Sequence, residues 1–236
     1  MVSIIPCYGL KMLTIIIPTL NAEATLPQTL EVLGAHDFKV LDILIVDGGS
    51  TDETHAIATH QGAKVIACEP GRGRQLALGA DQTKSAWMLF LHADTILPKS
   101  WNEDLRRYTG NPTNSQSAAY FQLAFDDLSG GANRVAALAN WRAKAWGLPY
   151  GDQGLLIHRN LYDEIGGYRE SLKLMEDVDI AQRLGPMRLK ALRSFATTSA
   201  QKYQHGGWWA RPARNLLCLA LFLAGAPQRW IETMYK

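Results

Sequence analysis

The chain has 236 residues, 47% of them hydrophobic and 19% charged, with a formal net charge of +2. This composition is typical of a soluble globular protein and is sufficient for one large domain or two small ones. The three cysteines (Cys7, Cys68 and Cys218) are widely spaced. Their number and spacing exclude a disulfide framework and a zinc-binding pattern, and indicate a reducing compartment.

The positive charge is concentrated toward the C-terminus. Residues 183–236 contain nine basic residues, three tryptophans and only one acidic residue, Glu232. The apolar run from Leu216 to Ala226 in this segment is shorter than the roughly 20 residues that span a bilayer. We expect a terminal helix packed on the core, with peripheral docking on the anionic inner face of the cell membrane as the alternative. The basic excess is confined to this apolar segment, so we expect no nucleic-acid partner, and we expect a cytoplasmic protein.

Strands alternate with helices in the first hundred residues. The predicted strands are Leu13–Pro18, Leu41–Val46, Lys64–Ala67 and Trp87–Leu91, and the predicted helices are 25–34, 52–61 and a helix through Leu76–Ala80. This alternation predicts an α/β fold with a mostly parallel central sheet flanked by helices. Farther along, the patterns predict a hairpin strand at Ala118–Phe125, a helix at 133–146, a strand at Leu155–His158 and a helix at Glu176–Leu184.

The domain organisation follows from this change of pattern. We expect one domain over residues 12–236, with a nucleotide-binding half at 12–100 and an acceptor-binding and catalytic half at 101–200. Residues 201–236 are predicted to form a flexible loop and a C-terminal helix, and residues 1–11 an N-terminal extension.

Polar residues follow two of the buried strands. The first strand ends in Thr19 and Asn21, and the second is followed by Asp47, Gly49 and Asp52. In open α/β sheets, ligands bind just beyond the carboxyl ends of the strands, and glycine lets the backbone approach the ligand. These residues are therefore candidates for nucleotide contacts.

The fourth strand ends in His92, Ala93 and Asp94. His92 and Asp94 are two residues apart, so on a strand they lie on one face. A carboxylate here, close to Asp47, favours a divalent cation that is shared with a diphosphate, because Mg²⁺ needs only one or two protein carboxylates when phosphates complete its shell. The alternative is an ordinary polar turn in which Asp94 caps the next segment.

The segment Gly71-Arg-Gly-Arg-Gln75 lies between a predicted strand and a predicted helix. Its backbone amides and the side chains of Arg72, Arg74 and Gln75 suit phosphate oxygens. The segment nearly matches the dinucleotide fingerprint G-x-G-x-x-G, which leaves a nicotinamide-dependent oxidoreductase as an alternative. That fingerprint belongs after the first strand, whereas this segment follows the third. The alternative for this segment is a surface loop with solvated arginines, which is a fair competitor for Arg74.

Three acidic residues, Glu176, Asp177 and Asp179, begin the last predicted helix of the mixed region. The macrodipole favours acidic residues in a first turn, but three are more than it requires. Glu176 and Asp179 are predicted to lie on one side and Asp177 on another. A carboxylate that faces a nucleotide site is a candidate general base.

Other polar and aromatic residues are candidates for a substrate pocket or a lid. The glycine-flanked segment 203–209 contains His205, a candidate metal ligand, and Trp208, a candidate substrate contact. The remaining candidates for substrate contacts are Asp152 and Gln153, with Trp141, Trp146 and Tyr150 beside them. Core packing explains the two tryptophans equally well.

Taken in order, these motifs resemble the family 2 glycosyltransferases, which have the GT-A fold, and in particular a bacterial subgroup of uncharacterised transferases. The matching segments are Pro18-Thr-Leu-Asn21-Ala-Glu23, Val46-Asp-Gly-Gly-Ser-Thr-Asp52, Gly71-Arg-Gly, Leu89-Phe-Leu-His-Ala-Asp94, Gly166-Gly-Tyr168 and Glu176-Asp177. The resemblance covers about residues 13–185.

The resemblance implies specific roles. Pro18, Glu23 and Asp47 would contact the nucleoside, with Asp47 on the base, and Arg72 would lie near the base or phosphates. Asp94 would ligate the metal bound to the diphosphate, and Asp177 would be the catalytic base. Two positions depart from the pattern: His92 replaces the first acid of the metal motif, and Ala77 replaces a common asparagine.

The resulting expectation is an inverting, single-transfer glycosyltransferase. It would move a sugar from a nucleoside-diphosphate sugar, most simply a UDP-sugar, to a hydroxyl of a sugar, lipid or small-molecule acceptor, with Mn²⁺ or Mg²⁺ as cofactor. Besides the oxidoreductase, a relative that binds nucleotide-sugar but has lost catalysis remains an alternative, because His92 departs from the metal motif.

Overall fold

The computed structural model describes residues 13–34, 41–200 and 208–235. Cys7, the predicted extension 1–11 and His205 with its neighbouring glycines lie outside the described residues. The predictions made for them are therefore not tested by the structure.

The described residues form one mixed sheet of eight strands. The strands are β1 (Leu13–Thr19), β2 (Leu41–Asp47), β3 (Lys64–Ala67), β4 (Trp87–Phe90), β5 (Thr95–Ile96), β6 (Ala118–Phe125), β7 (Leu155–His158) and β8 (Leu189–Thr198). Their order across the sheet is β3-β2-β1-β4-β7-β6-β8-β5. β1, β2, β3 and β4 run parallel to one another, β7 is antiparallel to both β4 and β6, and β8 is parallel to β6.

Helices cover both faces of this sheet. They are α1 (Leu26–Gly34), α2 (Thr54–His60), α3 (Arg72–Asp81), α4 (Trp101–Thr109), α5 (Gly130–Trp146), α6 (Arg159–Glu164), α7 (Glu176–Leu184), α8 (Ala210–Leu223) and α9 (Gln228–Tyr235). Short 3₁₀ turns lie at Pro112–Gln116, Gly151–Gln153 and Pro186–Arg188. The order of strands and helices confirms the predicted α/β class, with a parallel part formed by β1 to β4.

The isoleucines of β1 show why its sequence forms a central strand. Ile15, Ile16 and Ile17 are all fully buried, and alternate residues enter opposite cores: Ile16 packs with α3 and α7, and its two neighbours pack with α1 and α4. A strand buried on both faces is expected to be a continuous run of branched apolar residues. The run also fixes the position of Thr19, which is the last residue of the strand.

Several predicted elements are confirmed, and one pairing was wrong. Lys64–Ala67, Ala118–Phe125, Leu155–His158 and Glu176–Leu184 occur with the predicted bounds. The strand Ala118–Phe125, however, does not belong to a hairpin, because α5 separates it from its antiparallel neighbour β7 and its longest pairing is parallel, with β8.

The C-terminal helices pack on the core through one face. Cys218 and Leu219 of α8 and Ile231 of α9 are buried in the same cluster as α3 and α7, which confirms the predicted packing of the terminal helix. Among the described residues, no helix has both the length and the apolar character to cross a membrane.

Candidate functional site

The carboxyl ends of β1 and β4 border an open cleft, which is the largest of the three cavities described for this protein below. This cleft, here called the strand-end cleft, has a volume of about 530 Å³. Eight of the residues predicted to bind a nucleotide or its metal line it: Pro18, Thr19, Asn21, Arg72, Gln75, His92, Ala93 and Asp94. Lys173, which was not predicted, also lines the cleft and adds a positively charged side chain. The cleft is large enough for a nucleotide.

A second cavity of about 180 Å³, here called the central cavity, shares Arg72, His92 and Asp94 with the strand-end cleft. It also contains Asp152 and Asp177. The predicted metal ligand Asp94 and the predicted base Asp177 therefore line one space, although they come from opposite halves of the chain.

The Asp177 carboxylate is held by two backbone amides, one in the turn Gly151–Gln153 and one at the start of α7. Its Oδ2 accepts a hydrogen bond of 2.7 Å from the Gly151 N–H, and its Oδ1 accepts one of 2.7 Å from the Val178 N–H. Met175, two residues before Asp177, has a positive φ of 64°. This conformation is unfavourable for a bulky side chain. The local backbone thus turns Asp177 toward the central cavity.

Glu176 and Asp179 are the other two acidic residues in the first turn of α7. Asp179 is buried and forms ion pairs with Arg169 (3.0 Å) and Arg183, so its role is structural. Glu176 is 2% exposed, and its Oε2 has no hydrogen-bond partner. Burial and the neighbouring Asp177 raise the pKa of Glu176 to about 8, against the opposing effect of Arg72. A raised pKa keeps the carboxyl of Glu176 protonated to a higher pH than that of a solvated glutamate, which makes Glu176 poorly suited to be the general base.

Arg72 is the cation of this acidic cluster. Loss of solvation lowers its pKa, but attraction by Glu176, then Tyr235, Asp177 and Asp94, outweighs that effect and leaves the pKa raised. Arg72 is nonetheless exposed, and it lines both the strand-end cleft and the central cavity. A guanidinium here can bind an anionic ligand through charge-assisted hydrogen bonds.

Asp152 and Gln153 are consecutive but face opposite directions. Asp152 lines the central cavity, and burial, together with Asp177 and Asp94 and opposed by Arg142 and Arg72, raises its pKa to about 6. Gln153 is fully buried, where its amide donates to Phe121 O and Asn140 Oδ1 at 3.2 Å each. The prediction that Gln153 contacts substrate does not fit this placement, because its donors are used inside the core.

Asp47 organises the loop after β2. Its carboxylate accepts hydrogen bonds from Thr19 Oγ1, Gly49 N, Ser50 N and Ser50 Oγ. Burial raises the pKa of Asp47, but these hydrogen bonds to Ser50, Thr19 and Gly49 more than offset it, so the pKa is lowered overall. Gly49 has a φ of 90°, which favours glycine at this turn.

Asn21, Glu23 and Asp52 join the loops after β1 and β2. Asn21 Oδ1 accepts from Thr51 N at 2.9 Å, Asp52 Oδ2 accepts from Glu23 N at 3.0 Å, and Glu23 Oε2 accepts from Glu53 N at 3.1 Å. The predicted nucleoside-binding residues on these loops therefore stabilise each other as one unit. Glu23, Asp47, Gly49 and Asp52 are not lining residues of the strand-end cleft.

Gln75 connects α3 to the ends of two strands. The residue is buried, and its Nε2 donates to Thr19 O and Val46 O at 2.8 Å each. Its Oε1 accepts weakly from Gly71 N at 3.4 Å. Because both amide hydrogens are used within the protein, Gln75 positions the cleft wall, and its predicted contact to a ligand is limited to Oε1.

The Gly-Arg-Gly segment is the first turn of α3 rather than a separate loop. A Cβ on Gly73 would lie 2.3 Å from Arg169 O and 2.4 Å from Leu172 O, and Gly73 N donates to Leu172 O at 3.0 Å. Glycine is thus required here by close packing of α3 on the segment before α7. Arg74 is exposed and does not line the strand-end cleft.

Trp208, predicted to contact substrate, packs on the protein. Its indole lies 2.6 Å from where a Gly131 Cβ would be and edge-on to Phe125, with ring centroids 5.6 Å apart. The central cavity instead receives Arg211, Asn215 and Tyr235 from the C-terminal helices. The sequence carries no local signal for these three residues, because only the packing of α8 and α9 brings them to the site.

The donor set suits a cation that is completed by a ligand's phosphates. Among the described residues, no group of three or more histidine, cysteine or acidic side chains is arranged to hold a metal ion by itself. The central cavity is lined by three carboxylates, Asp94, Asp152 and Asp177, and by two arginines, Arg72 and Arg211. One or two of these carboxylates fit Mn²⁺ or Mg²⁺ when a diphosphate supplies further oxygens.

Glycosyl transferase family 2 matches residues 14–165. The chain belongs to this family. The match includes β1 to β4 and the lining of the strand-end cleft apart from Lys173, and it argues against the oxidoreductase alternative.

A curated relative of the chain is also a glycosyltransferase by name. A PGL/p-HBAD biosynthesis glycosyltransferase of Mycobacterium tuberculosis is 30% identical over 168 residues, which are 68% of this chain and 60% of the relative. The chain thus spans about 60% of the length of the curated relatives that it matches first.

Solved structures share the fold. Glucosyl-3-phosphoglycerate synthase from Mycobacterium tuberculosis, in complex with Mn²⁺, UDP and glucosyl-3-phosphoglycerate, has a TM-score of 0.58 and 19% identity, covering 92% of this chain and 81% of that one. The mannosyltransferase PcManGT from Pyrobaculum calidifontis, in complex with GDP-Man and Mn²⁺, has a TM-score of 0.66 and 16% identity, covering 95% and 68%. These likenesses establish the GT-A fold.

Proposed function

We propose that the protein is an inverting glycosyltransferase that moves one sugar from a UDP-sugar to the hydroxyl of an acceptor, with Mn²⁺ or Mg²⁺ as cofactor. One observation carries this proposal: Asp94, Arg72 and Asp177 line the same cavity, and that cavity adjoins a cleft of nucleotide size. Two solved structures with the same fold support a nucleotide and a divalent metal as ligands. One holds UDP and Mn²⁺, and the other holds GDP-Man and Mn²⁺.

The donor would occupy the strand-end cleft. Its nucleoside would lie against Pro18, Thr19 and the joined loops that contain Asn21 and Asp47, and its diphosphate would lie near Arg72. Lys173, at the same cleft, adds positive charge for the phosphates. Asp94 would hold the divalent cation, which when bound supplies positive charge to the leaving diphosphate.

The acceptor would approach from the central cavity. Asp177 takes the proton of the acceptor hydroxyl while the hydroxyl oxygen forms a bond to the anomeric carbon. The bond from that carbon to the diphosphate oxygen breaks, and its electron pair leaves with the diphosphate. The amides of Gly151 and Val178 hold the Asp177 carboxylate in place for this transfer.

The two halves of the chain divide this work. The strand-end cleft is built from residues 18–94 with Lys173, and the central cavity adds residues from 150 onward. We therefore propose that residues 12–236 act as one catalytic unit, with a donor half and an acceptor half.

A thermal-shift panel tests the proposal without knowledge of the acceptor. UDP, GDP, CDP and NAD are each added with and without Mn²⁺, and a ligand at a hundredfold its Kd stabilises by about 2.7 kcal/mol. We expect UDP with Mn²⁺ to raise the Tm most. A larger shift with GDP would replace UDP in the proposal, and a shift with NAD alone would reject a glycosyltransferase donor site.

A further inference from the structure

A third cavity lies between α5 and α8, next to the central cavity. This α5–α8 cleft has a volume of about 250 Å³. None of its lining residues belongs to the strand-end cleft, so the proposed donor chemistry does not use it.

The wall of the α5–α8 cleft is apolar and open to solvent. Trp141 and Trp146 are 55% and 51% exposed, and they pack edge to face with ring centroids 5.2 Å apart. Leu138 and Leu216, which also line the cleft, are exposed by more than half. A single exposed apolar side chain needs no explanation, but a group of four around one cavity is typical of a binding site for an apolar molecule.

Polar atoms line the same cleft and lack partners. Oδ1 of Asp152, Oδ1 of Asn215 and Nη2 of Arg142 are inaccessible to solvent and have no hydrogen-bond partner among the described residues. Buried polar atoms are nearly always hydrogen-bonded in folded proteins. Asp152 and Asn215 line the cleft, so rotation of either side chain would present its unused acceptor oxygen to a hydroxyl group of a ligand.

The cleft is continuous with the reaction site. Tyr150, Asp152 and Asn215 line both the α5–α8 cleft and the central cavity that contains Asp177. A molecule that packed its apolar part against Trp141 and Trp146 would thus direct its polar end toward Asp177.

The geometry points to the acceptor class. We propose that the α5–α8 cleft binds the acceptor and that this acceptor is an amphipathic alcohol, with a hydroxyl-bearing head at Asp152 and Asn215 and an apolar body on the Trp141–Trp146 pair. This inference rests on the proposed glycosyltransferase function.

Calorimetric titration with two glucosides tests the apolar requirement. Octyl β-glucoside, kept below its critical micelle concentration, and methyl β-glucoside share one head and differ only in the apolar body. We expect the octyl compound to bind at least about tenfold tighter, because burial of several methylene groups favours it.

Variants locate the binding. Trp141→Ala should weaken octyl glucoside binding by about three- to tenfold, and Asn215→Ala should also weaken it. Trp230→Ala is the matched control, because Trp230 is 54% exposed but lies on α9 and does not line the cleft. Equal affinity for the two glucosides, or equal losses in Trp141→Ala and Trp230→Ala, would overturn the inference. So would a dimer that Trp141→Ala dissociates in sedimentation, because the cleft would then hold a second copy of the chain.

Titration of the same samples with UDP and Mn²⁺ separates the two proposals. Diphosphate binding without octyl glucoside binding would contradict the acceptor inference alone. Octyl glucoside binding without binding of any nucleoside diphosphate would contradict the donor proposal.

Discussion

Gly151 and Asp177 are joined by a hydrogen bond of 2.7 Å from the Gly151 amide to Oδ2 of the carboxylate. A Cβ on Gly151 would lie 2.4 Å from Nε2 of His92, so the turn that donates this bond is packed directly against the end of β4. His92 therefore packs against the turn whose amide holds Asp177, and this contact gives His92 a structural role.

Asp177→Asn tests the base. The amide keeps the shape of the side chain but cannot take a proton, so we expect turnover of UDP-sugar to fall by about 10²–10⁴-fold while UDP binding is retained. Release of UDP, by hydrolysis or transfer, measures turnover. Glu170→Gln removes an exposed carboxylate from the same region and should have little effect. Near-normal turnover in Asp177→Asn would remove this residue from the role.

Asp94→Asn tests the cation site. If Asp94 holds the metal that binds the diphosphate, the Tm increase that Mn²⁺ adds to UDP should be lost in the variant, while UDP alone behaves as in the wild type. Asp81→Asn, an exposed acid at the end of α3, is the control. An unchanged Mn²⁺ effect in Asp94→Asn would assign the cation to other ligands.

Glu176→Gln tests the raised pKa through the pH dependence of stability. The pKa of Glu176 is about 8 in the folded chain and 4.5 in the reference state. Between these values the unfolded chain has lost the proton and the folded chain keeps it, so the wild type loses stability as pH rises from about 5 to 8. The glutamine variant lacks this loss. We expect similar Tm values near pH 5 and a Tm higher in the variant by several degrees near pH 8.

Parallel Tm curves for the two proteins across that pH range would contradict the raised pKa. They would show that Glu176 is ionised in the folded chain, with Arg72 as its partner.

Gly73→Ala tests the packing of α3 against the segment before α7. Its Cβ would lie 2.3–2.4 Å from two backbone carbonyl oxygens, which cannot yield like a flexible side chain. We expect a destabilisation of about 1–3 kcal/mol or more in urea unfolding. Gly130→Ala, on the exposed first residue of α5 with ordinary contact distances, should be neutral or slightly stabilising. Equal stability of the two variants would show that the contact relaxes freely.

The donor half was predictable because its strands are continuous apolar runs. β1 is buried on both faces, and its last residues line the strand-end cleft. β8 was not predicted, since Lys190 and Arg193 interrupt its apolar residues and its burial alternates irregularly. The two residues of β5 are too few for any periodic signal.

The site was only partly predictable, because the tertiary structure decides which polar side chains enter it. Asp47 and Asp94 follow from the rule that ligands bind at strand ends. By contrast, Asp152 and Gln153 are adjacent and both polar. Only the 3₁₀ turn at Gly151–Gln153 decides which of them enters the cavity. Gln75 was chosen as a ligand contact because it lies in a glycine-arginine segment, whereas the tertiary structure uses its amide to join two strand ends.

The contact between Gly73 and Leu172 also constrains how the enzyme can adapt to substrates of different size. Arg72 precedes this contact in α3 and Asp177 follows it in α7, so the separation of the proposed phosphate-binding residue and the proposed base depends on the packing at Gly73. Under the proposed mechanism, acceptors of different size would then be accommodated at the opposite wall of the central cavity, to which α8 contributes Arg211 and Asn215.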